Sequence, residues 1–351
     1  MSCKTIAVFM FCVMLPNPIL GESPESSSSV SAGRAQSKAS LEAAPADPHL
    51  VLGSEACVKC HASEVKVWRD TPHAKTVDVL HRRPEAKQIA QKLGLRSIKH
   101  DGRCVACHYT QQAESSNPSP HVISGVSCES CHGAAKDWLE MHHDYGGPNV
   151  TRTTESPEHR RQRLASSIAA GMRNPVNVFA VAQSCLRCHT TADEELVNVG
   201  GHSAGSLDFE FVSWSQGSIR HNFVRSDGKV NAASSAERLR VMFVAGMIAE
   251  LESSLRATAT ATKKDTFGVT VAKRAARAIK RIKSVAAKVD EPLLDEILLV
   301  AAGIKLKLNN AAELEQAADK VAMLGYQFAA RNSGKHLDAL DTFIPKADRW
   351  K

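Results

Sequence analysis

At 351 residues, the chain is long enough to form two domains. Its formal charge of +7 does not by itself indicate a nucleic-acid partner, because aromatic residues make up only 5 % of the chain and no nucleic-acid-binding motif accompanies the basic residues. The ten cysteines are more informative: eight of them form four Cys-x-x-Cys pairs, and no cysteine beyond the N-terminal segment is left over for a disulfide.

The N-terminal segment has the features of a secretory signal. A basic residue precedes an apolar run at residues 6–15, and both Cys3 and Cys12 fall in this segment. We predict a signal peptide over residues 1–21, with an uncleaved anchor as the alternative, and a flexible linker rich in Ser, Ala and Pro over residues 22–48. No later run approaches the roughly 20 apolar residues needed to cross a bilayer. We therefore expect a periplasmic protein whose contact with the membrane is at most peripheral.

Each Cys-x-x-Cys pair is followed directly by histidine, which is the pattern of a haem c attachment site. In such a site the two thiols form thioether bonds to the porphyrin and the histidine ligates the iron. The four sites are Cys57, Cys60 and His61; Cys104, Cys107 and His108; Cys128, Cys131 and His132; and Cys185, Cys188 and His189. A single pair could be half of a zinc site or a thioredoxin-like redox pair, but neither requires the histidine. The sequence predicts four covalently bound haem c groups.

Helices are predicted between the first and second motifs. Residues Ala62–Trp68 read as a short helix, and Thr71 is expected to cap a second helix that begins at Pro72. His73 falls in the first turn of that helix, which would hold its imidazole rigidly as a distal iron ligand; a surface histidine is the alternative. A further helix is predicted over Pro84–Leu93.

The segments around the third motif are predicted as loop, strand and helix in turn. Ser115–Pro120 reads as a loop and Val122–Val126 as a short strand that enters the motif. A helix is expected over Ala134–His143, so that one of His142 and His143 reaches an iron and the other is solvated.

Beyond the fourth motif, the alternating pattern over Phe209–Phe223 predicts a strand or an extended segment. His202 and His221 are the remaining candidate ligands downstream. We predict that residues 49–234 form a tetrahaem cytochrome c domain, mainly α-helical with little regular strand.

The composition changes at Ser235. Residues 235–351 contain no cysteine and one histidine, and their apolar residues recur at helical spacing between breaks. The pattern predicts a bundle of about four helices. Its basic run over Lys273–Lys283 is interpreted as a solvated helix face, with docking of an acidic partner as the alternative.

Four haems within residues 49–234 leave little polypeptide between neighbouring porphyrins, an arrangement that suits stepwise electron transfer. The sixth ligand of each iron decides what else is possible. An iron with two histidine ligands can only pass electrons, whereas an iron with an open distal position can reduce NO, nitrite or hydroxylamine. Eleven histidines remain after the four motif histidines are assigned, so counting alone permits either state.

The residues that flank the motifs carry a family resemblance. Together with the four motifs, the segments Trp68–Lys75 and Gly125–Gly133 resemble the tetrahaem cytochrome c-554 family over about residues 54–225. Members of that family are periplasmic carriers that accept electrons from hydroxylamine oxidoreductase in nitrifying bacteria. The family's core does not include the predicted C-terminal bundle.

The resemblance implies a distal histidine for three of the four haems, in these pairs of distal and motif residues: His142 with His61, His73 with His189, and His221 with His132. It implies that the second haem, on His108, is five-coordinate. His100 and His121 lie near the second and third motifs and are alternatives that could cap this iron. His143 and His202 compete for the assigned distal positions.

We accordingly predict a periplasmic electron carrier that works between a redox protein donor and a redox protein acceptor, without catalytic residues of its own. The alternative is a reductase of small nitrogen or sulfur oxides that acts at the His108 haem. A third hypothesis assigns docking or self-association to the C-terminal bundle.

Overall fold

The computed structural model describes residues 44–351, most of which lie in α-helices. The mainly α-helical fold class predicted from the sequence is confirmed. The predicted signal peptide, its two cysteines and most of the predicted linker lie outside the described residues. No helix within residues 44–351 is both long and apolar enough to cross a membrane.

Residues 44–234 carry the four motifs on short helices. The helices are α1 (Glu55–Arg69), α2 (Pro72–Val79), α3 (Pro84–Lys92), α4 (Gly102–His108), α5 (Cys128–His132), α6 (Pro157–Ala169), α7 (Val178–His189), α8 (Glu194–Asn198) and α9 (Phe211–Gln216). Turns and short 3₁₀ segments join them. The predicted cap of α2 is present, since the Thr71 side chain accepts a hydrogen bond from the Ala74 N–H and Pro72 occupies the first helical position.

A two-stranded antiparallel hairpin lies between the second and third motifs. Its strands are β1 (Thr110–Glu114) and β2 (Asn117–Ser124), with Gln112 opposite His121. The predicted loop is therefore too long, because its last four residues belong to β2. The turn consists of two residues, and the pairing requires Asn117 to lie opposite Glu114.

The helix predicted over Ala134–His143 is wrong. Turns occupy residues 136–140, and a 3₁₀ segment follows over Met141–His143. The first N–H groups of the expected helix bond elsewhere: Ala135 N–H donates to Glu129 Oε1 at 2.8 Å and Lys136 N–H donates to the Leu50 carbonyl at 3.0 Å. Beyond them the backbone bonds form separate turns, from Leu139 N–H to the Ala135 carbonyl and from His142 N–H to the Trp138 carbonyl, without a continuous helical ladder.

The strand or extended segment predicted over Phe209–Phe223 is also wrong, because α9 lies within it. Glu210 caps this helix: its carboxylate accepts hydrogen bonds from the N–H groups of Val212 and Ser213, at 3.1 and 2.6 Å. A carboxylate at a helix N-terminus is favoured by the unpaired N–H groups there, and in this short segment it outweighs the alternating pattern.

The C-terminal part of the chain is helical, as predicted. Its helices are α10 (Ala236–Ala259), α11 (Thr266–Ala286), α12 (Pro292–Ala302) and α13 (Ala311–Arg331). Ser235 caps α10 by accepting a hydrogen bond from the Arg238 N–H, and Pro292 occupies the first turn of α12.

The hydrophobic core of these helices extends into the motif-bearing part of the chain. Phe179 and Leu186 on α7 are buried in the same cluster as Ile248 and Leu251 on α10 and Phe328 on α13. Burial of each such side chain contributes about 1.5–3 kcal/mol. Because α7 ends in the fourth motif, this packing fixes that motif against the C-terminal helices. Residues 44–351 lie within one compact unit, and the division at residue 235 remains a prediction.

The predicted basic run on α11 is only partly a solvated face. Arg274 is 2 % exposed, and its Nε lies 3.3 Å from Oε1 of the equally buried Glu250 on α10. Arg277 and Arg281 also bind Glu250, at 2.9 and 2.8 Å. The three arginines of the run are therefore paired with one buried carboxylate. Only the lysines of the run are left to form a solvated face.

Candidate haem-binding sites

Three of the four motifs end a helix. The helices α4, α5 and α7 terminate at His108, His132 and His189 respectively. Side chains cap the starts of two of these helices: Asp101 accepts a hydrogen bond from Arg103 N–H at 3.1 Å before the second motif, and Asn177 accepts one from Phe179 N–H at 3.1 Å at the start of α7. A helical turn places two cysteines three residues apart on one face, and the histidine that follows lies beside them.

The first motif lies within a helix and breaks it. Cys57 and Cys60 occupy the first turns of α1, and His61 has non-helical backbone angles of φ −121° and ψ 38°. The helix resumes and runs to Arg69. Near its end, Trp68 Nε1 donates a hydrogen bond of 2.8 Å to the Val126 carbonyl. This bond joins the helix of the first motif to the residues that directly precede the third motif.

Each motif histidine faces a histidine from a distant part of the chain. The ring centroids of these pairs are 6.2–6.4 Å apart, in the pairs His61 with His142, His73 with His189, His108 with His202, and His132 with His221. The five other aromatic pairs among the described residues are closer, at 5.0–5.4 Å. The four histidine pairs thus form a separate class with one common spacing.

This spacing fits an iron between the two rings. Metal–imidazole bonds are about 2 Å long, so two imidazoles that bind one metal from opposite sides have centroids about 6 Å apart. Two thiols, an adjacent imidazole and a second imidazole opposite are the protein donors that a haem c group needs. Within residues 44–351, no cluster of three or more His, Cys, Asp or Glu side chains could hold a metal ion by itself. The donor set therefore fits an iron whose remaining ligands come from a porphyrin.

Hydrogen bonds fix the tautomer of several of these rings. Nδ1 of His221 lies 2.7 Å from the Ile219 carbonyl, Nδ1 of His142 bonds the Leu139 carbonyl, and Nδ1 of His202 lies 2.8 Å from the Ser203 carbonyl. A carbonyl oxygen can only accept, so Nδ1 must carry the proton. That leaves the lone pair of Nε2 free to bind a metal.

Burial favours the neutral imidazole in the second, third and fourth motifs. Burial lowers the pKa of His108 and of His132 to about 4. The nearby His202 lowers the pKa of His108 further, and His221 does the same for His132. The pKa of His189 also falls to about 4, again chiefly through burial. A neutral imidazole is the form that ligates a metal, so these rings are in the required protonation state at neutral pH.

The thiols interact across motifs in two pairs. A hydrogen bond with Cys57 lowers the pKa of the Cys128 thiol to about 7, and a hydrogen bond with Cys107 does the same for Cys188. Burial raises the pKa of Cys131 to about 11. The first motif therefore adjoins the third, and the second adjoins the fourth.

Backbone and side-chain hydrogen bonds connect the motifs further. Ser184 Oγ donates to the Cys131 carbonyl at 3.0 Å, and Arg187 Nη1 donates to the Ala106 carbonyl at 2.6 Å. Both donors lie on α7, so this helix contacts the third motif and the second motif at once. The helix that carries His73 is attached to the second motif by Thr76 Oγ1, which donates to the His108 carbonyl at 2.6 Å.

The structure brings together the three histidine pairs implied by the family resemblance, and it adds a fourth. His202, a competing candidate in the sequence, faces His108, whereas His100 and His121 do not pair with any motif histidine. His143 is exposed and lies 3.6 Å from Glu140. The only feature of the sequence that draws attention to the fourth pair is the position of His202 directly after two glycines.

Comparison with known proteins agrees with these sites. Residues 56–133 match the family model described as "Cytochrome c554 and c-prime". Over 100 residues, the chain is 34 % identical to cytochrome c-554 of Nitrosomonas europaea. This match covers 27 % of the chain and 43 % of cytochrome c-554. Over the matched residues, the chain is therefore similar to cytochrome c-554.

A second relative has the same general chemistry. The chain is 25 % identical over 126 residues to the C-type polyheme cytochrome OmcB of Geobacter sulfurreducens, a match that covers 31 % of this chain and 16 % of OmcB. The matches thus span less than half the length of these curated relatives. No solved structure is significantly similar to the chain. Its relatives are c-type cytochromes, and this supports haem binding and electron transfer.

Proposed function

We propose that this protein is a periplasmic tetrahaem c-type cytochrome that carries electrons between a redox protein donor and a redox protein acceptor. The observation that carries this proposal is the set of four motif histidines, each opposite a remote histidine at a centroid distance of 6.2–6.4 Å. One coincidental ring pair would have little weight. Four pairs that all include the histidine of a Cys-x-x-Cys-His motif favour four haem sites.

The proposed roles of the residues follow from this arrangement. The eight motif cysteines would attach the haems, and the four motif histidines would ligate the irons from one side. His142, His73 and His221 would ligate the first, fourth and third irons from the other side. Bound haem iron supplies reversible one-electron transfer between its ferric and ferrous states. Burial of the rings would keep water from the irons and so affect their potentials.

The contacts between motifs favour one order of electron transfer. The first motif adjoins the third through Cys57 and Cys128, and the second adjoins the fourth through Cys107 and Cys188. Ser184 connects the third motif to the helix of the fourth. We therefore propose the order first, third, fourth, second. The exposure of Cys60 makes the first site a suitable end for a partner protein.

The periplasmic location rests on the sequence and on chemistry. The predicted signal peptide would export the chain, and covalent haem attachment in bacteria takes place outside the cytoplasmic membrane. The identities of donor and acceptor are proposed only by class, as redox proteins. Docking on the C-terminal helices is not needed for this role, and we propose instead that these helices brace α7 and the fourth motif.

The test is to export the full chain in a bacterial host that matures c-type cytochromes and to count haems by intact mass and by iron content. We expect four haems per chain, and three in the variant with both Cys104→Ala and Cys107→Ala. His143→Ala, which changes an exposed histidine outside the pairs, is the control and should retain four. A wild-type chain that binds zinc, or fewer than four haems, would overturn the proposal.

Carrier function has a separate test. The fully reduced protein is mixed in a stopped-flow instrument with a small monohaem ferric cytochrome c as the probe acceptor. We expect four electrons to leave each chain in rapid steps. Haems that stay reduced in the presence of excess acceptor would contradict an electron-carrier role.

A further inference from the structure

His202 is the distal partner of His108 in the second motif. The two ring centroids are 6.2 Å apart and the ring planes are inclined by 52°. The distance is the same as that between His132 and His221, and the inclination falls between those of the other pairs, which range from 24° to 88°. By geometry alone, the second motif cannot be distinguished from the other three.

Direct ring contact does not explain the pair. Rings that pack against each other in this protein have centroids 5.0–5.4 Å apart, as in the contact of His189 with Trp214 at 5.1 Å. The longer separation of His108 and His202 matches two imidazoles on opposite sides of one metal, with bonds of about 2 Å on each side.

The backbone places His202 at the end of α8. Its N–H donates to the Leu196 carbonyl at 3.1 Å, and the preceding Gly201 N–H donates to the Val197 carbonyl at 3.1 Å. The same helix is attached to the second motif, since Arg103 Nη1 lies 2.8 Å from Glu195 Oε2. Arg103 directly precedes Cys104. One ion pair therefore connects the helix that leads to His202 with the helix that carries His108.

The ring of His202 is also in the right tautomer. Nδ1 lies 2.8 Å from the Ser203 carbonyl and must donate to it, so that Nε2 keeps its lone pair. His142 and His221 are oriented in the same way, by the carbonyls of Leu139 and Ile219. A carbonyl that holds the far nitrogen is a common support for a metal-bound histidine.

The two other candidates for this position are elsewhere. His100 is exposed, and no motif histidine faces it. His121 lies on β2, where its Nδ1 is within 3.4 Å of the Ser119 carbonyl and 3.5 Å of the Asn117 amide. Both are near the motifs in sequence, but neither faces His108.

We propose that His202 is the distal ligand of the second haem, so that all four haems carry two histidine ligands. This inference rests on the proposed haem sites and replaces the five-coordinate second haem that the family resemblance implies. An iron with two histidine ligands has no open position for NO, nitrite or hydroxylamine. The protein is then a carrier at every site, and reduction of such molecules at His108 requires displacement of His202.

The test is electron paramagnetic resonance of the oxidised holoprotein, together with CO titration of the reduced form, for wild type and His202→Ala. We expect four low-spin haems and no CO binding in the wild type. His202→Ala should convert one haem in four to a high-spin form that takes up one CO per chain. His100→Ala and His121→Ala are the matched controls and should retain the wild-type spectrum.

A second variant guards against misfolding. In His202→Gly, added imidazole should return the high-spin haem to the low-spin form, and before imidazole is added the other three haems should keep the wild-type low-spin signals that a misfolded chain would lose. Combining His202→Ala with Cys104→Ala and Cys107→Ala should remove the new high-spin signal, because the affected haem is no longer attached.

The possible results separate the inference from the proposed function. Fewer than four haems in the wild type would overturn the proposed function. Four haems with one high-spin in the wild type, or an unchanged spectrum in His202→Ala, would overturn the assignment of His202 alone. A high-spin signal in His121→Ala would instead assign the position to His121.

Discussion

The guanidinium group of Arg274 donates a hydrogen bond from Nη1 to the backbone carbonyl of His189, at 2.8 Å. This bond joins α11 of the C-terminal bundle to the histidine of the fourth motif. Gly205, with φ +80°, lies against both groups: a Cβ there would be 2.4 Å from the His189 carbonyl oxygen and 2.8 Å from Arg274 Nη1. Glu250 holds Arg274 from the other side. The fourth motif is thus supported by a buried charge network.

Removing Arg274 should destabilise the protein. Arg274→Met leaves Glu250 with less compensation and takes away the support of His189, and we expect a loss of about 2–4 kcal/mol in the free energy of unfolding. Guanidinium unfolding of the holoprotein measures it. Arg331→Met, at an exposed arginine on α13, is the control. Equal midpoints for the two variants would show that the network contributes nothing.

Glu129 should be a second point of structural sensitivity. Its carboxylate is 1 % exposed and accepts hydrogen bonds from the N–H groups of Leu52, Gly53 and Ala135, at 2.9, 2.8 and 2.8 Å. Glu129→Gln turns one acceptor oxygen into a donor, which should cost about 2–3 kcal/mol of stability while all four haems remain attached. The exposed Glu114→Gln is expected to unfold like wild type. A similar midpoint in Glu129→Gln would contradict this account.

Gly125 allows the close approach of the segment that carries His73. A Cβ at Gly125 would lie 2.4 Å from the His73 carbonyl oxygen and 2.5 Å from that of Ala74, so Gly125→Ala must displace the start of α2. If His73 ligates the fourth iron as proposed, we expect a new high-spin haem signal in paramagnetic resonance, of the same type as His73→Ala should give by removing that ligand. Gly102→Ala, where a Cβ would meet no atom within 4 Å, should leave the spectrum unchanged. A wild-type spectrum for Gly125→Ala would show that α2 does not position an iron ligand.

A pH dependence is expected from Glu155. Arg163 binds its carboxylate at 2.7 and 2.6 Å and also donates Nη1 to the His142 carbonyl at 2.7 Å. The hydrogen bond from Arg163, with a further one from His159, lowers the pKa of Glu155 to about 2. Because this pKa is lower in the folded state than the ordinary value of about 4.3, the stabilisation is complete above the ordinary value. It is lost as the pH falls from there through the folded-state pKa.

The measurement compares the unfolding midpoints of wild type and Glu155→Gln between pH 2 and 7. The difference should be largest above about pH 4.5 and should shrink toward pH 2. Glu158→Gln, at an exposed residue on α6, the helix that carries Arg163, should show no such trend. A difference that stays constant over the whole range would mean that Glu155 acts without its charge.

The sequence predicted structure correctly where the conformation depends on interactions between neighbouring residues. The cap at Thr71, the proline starts of α2 and α12 and the Cys-x-x-Cys-His motifs each depend on neighbouring residues. Pattern alone failed at Phe209–Phe223, where the alternation of apolar residues is short. There the carboxylate of Glu210 determines the conformation by capping α9.

Pairing of distant histidines lies beyond local signals. His108 and His202 come together where α8 lies beside α4, with Arg103 paired to Glu195 between them, and no sequence period indicates this contact between helices. The other three pairs could be expected only through the family resemblance. The shared core of α7 with α10 and α13 was also not foreseen, since the change of composition at Ser235 favours a boundary there.

The proximity of thiols from different motifs has a consequence for the order of assembly. Cys57 interacts with Cys128, and Cys107 interacts with Cys188. If the exported chain folded before haem attachment, oxidation of either pair would form a disulfide between two motifs and block both at once. If the motifs bind haem as proposed, we therefore expect maturation to depend on thiols that stay reduced until each haem is attached. A cell that exports the chain would then need a thiol reductant beside its haem-attachment machinery.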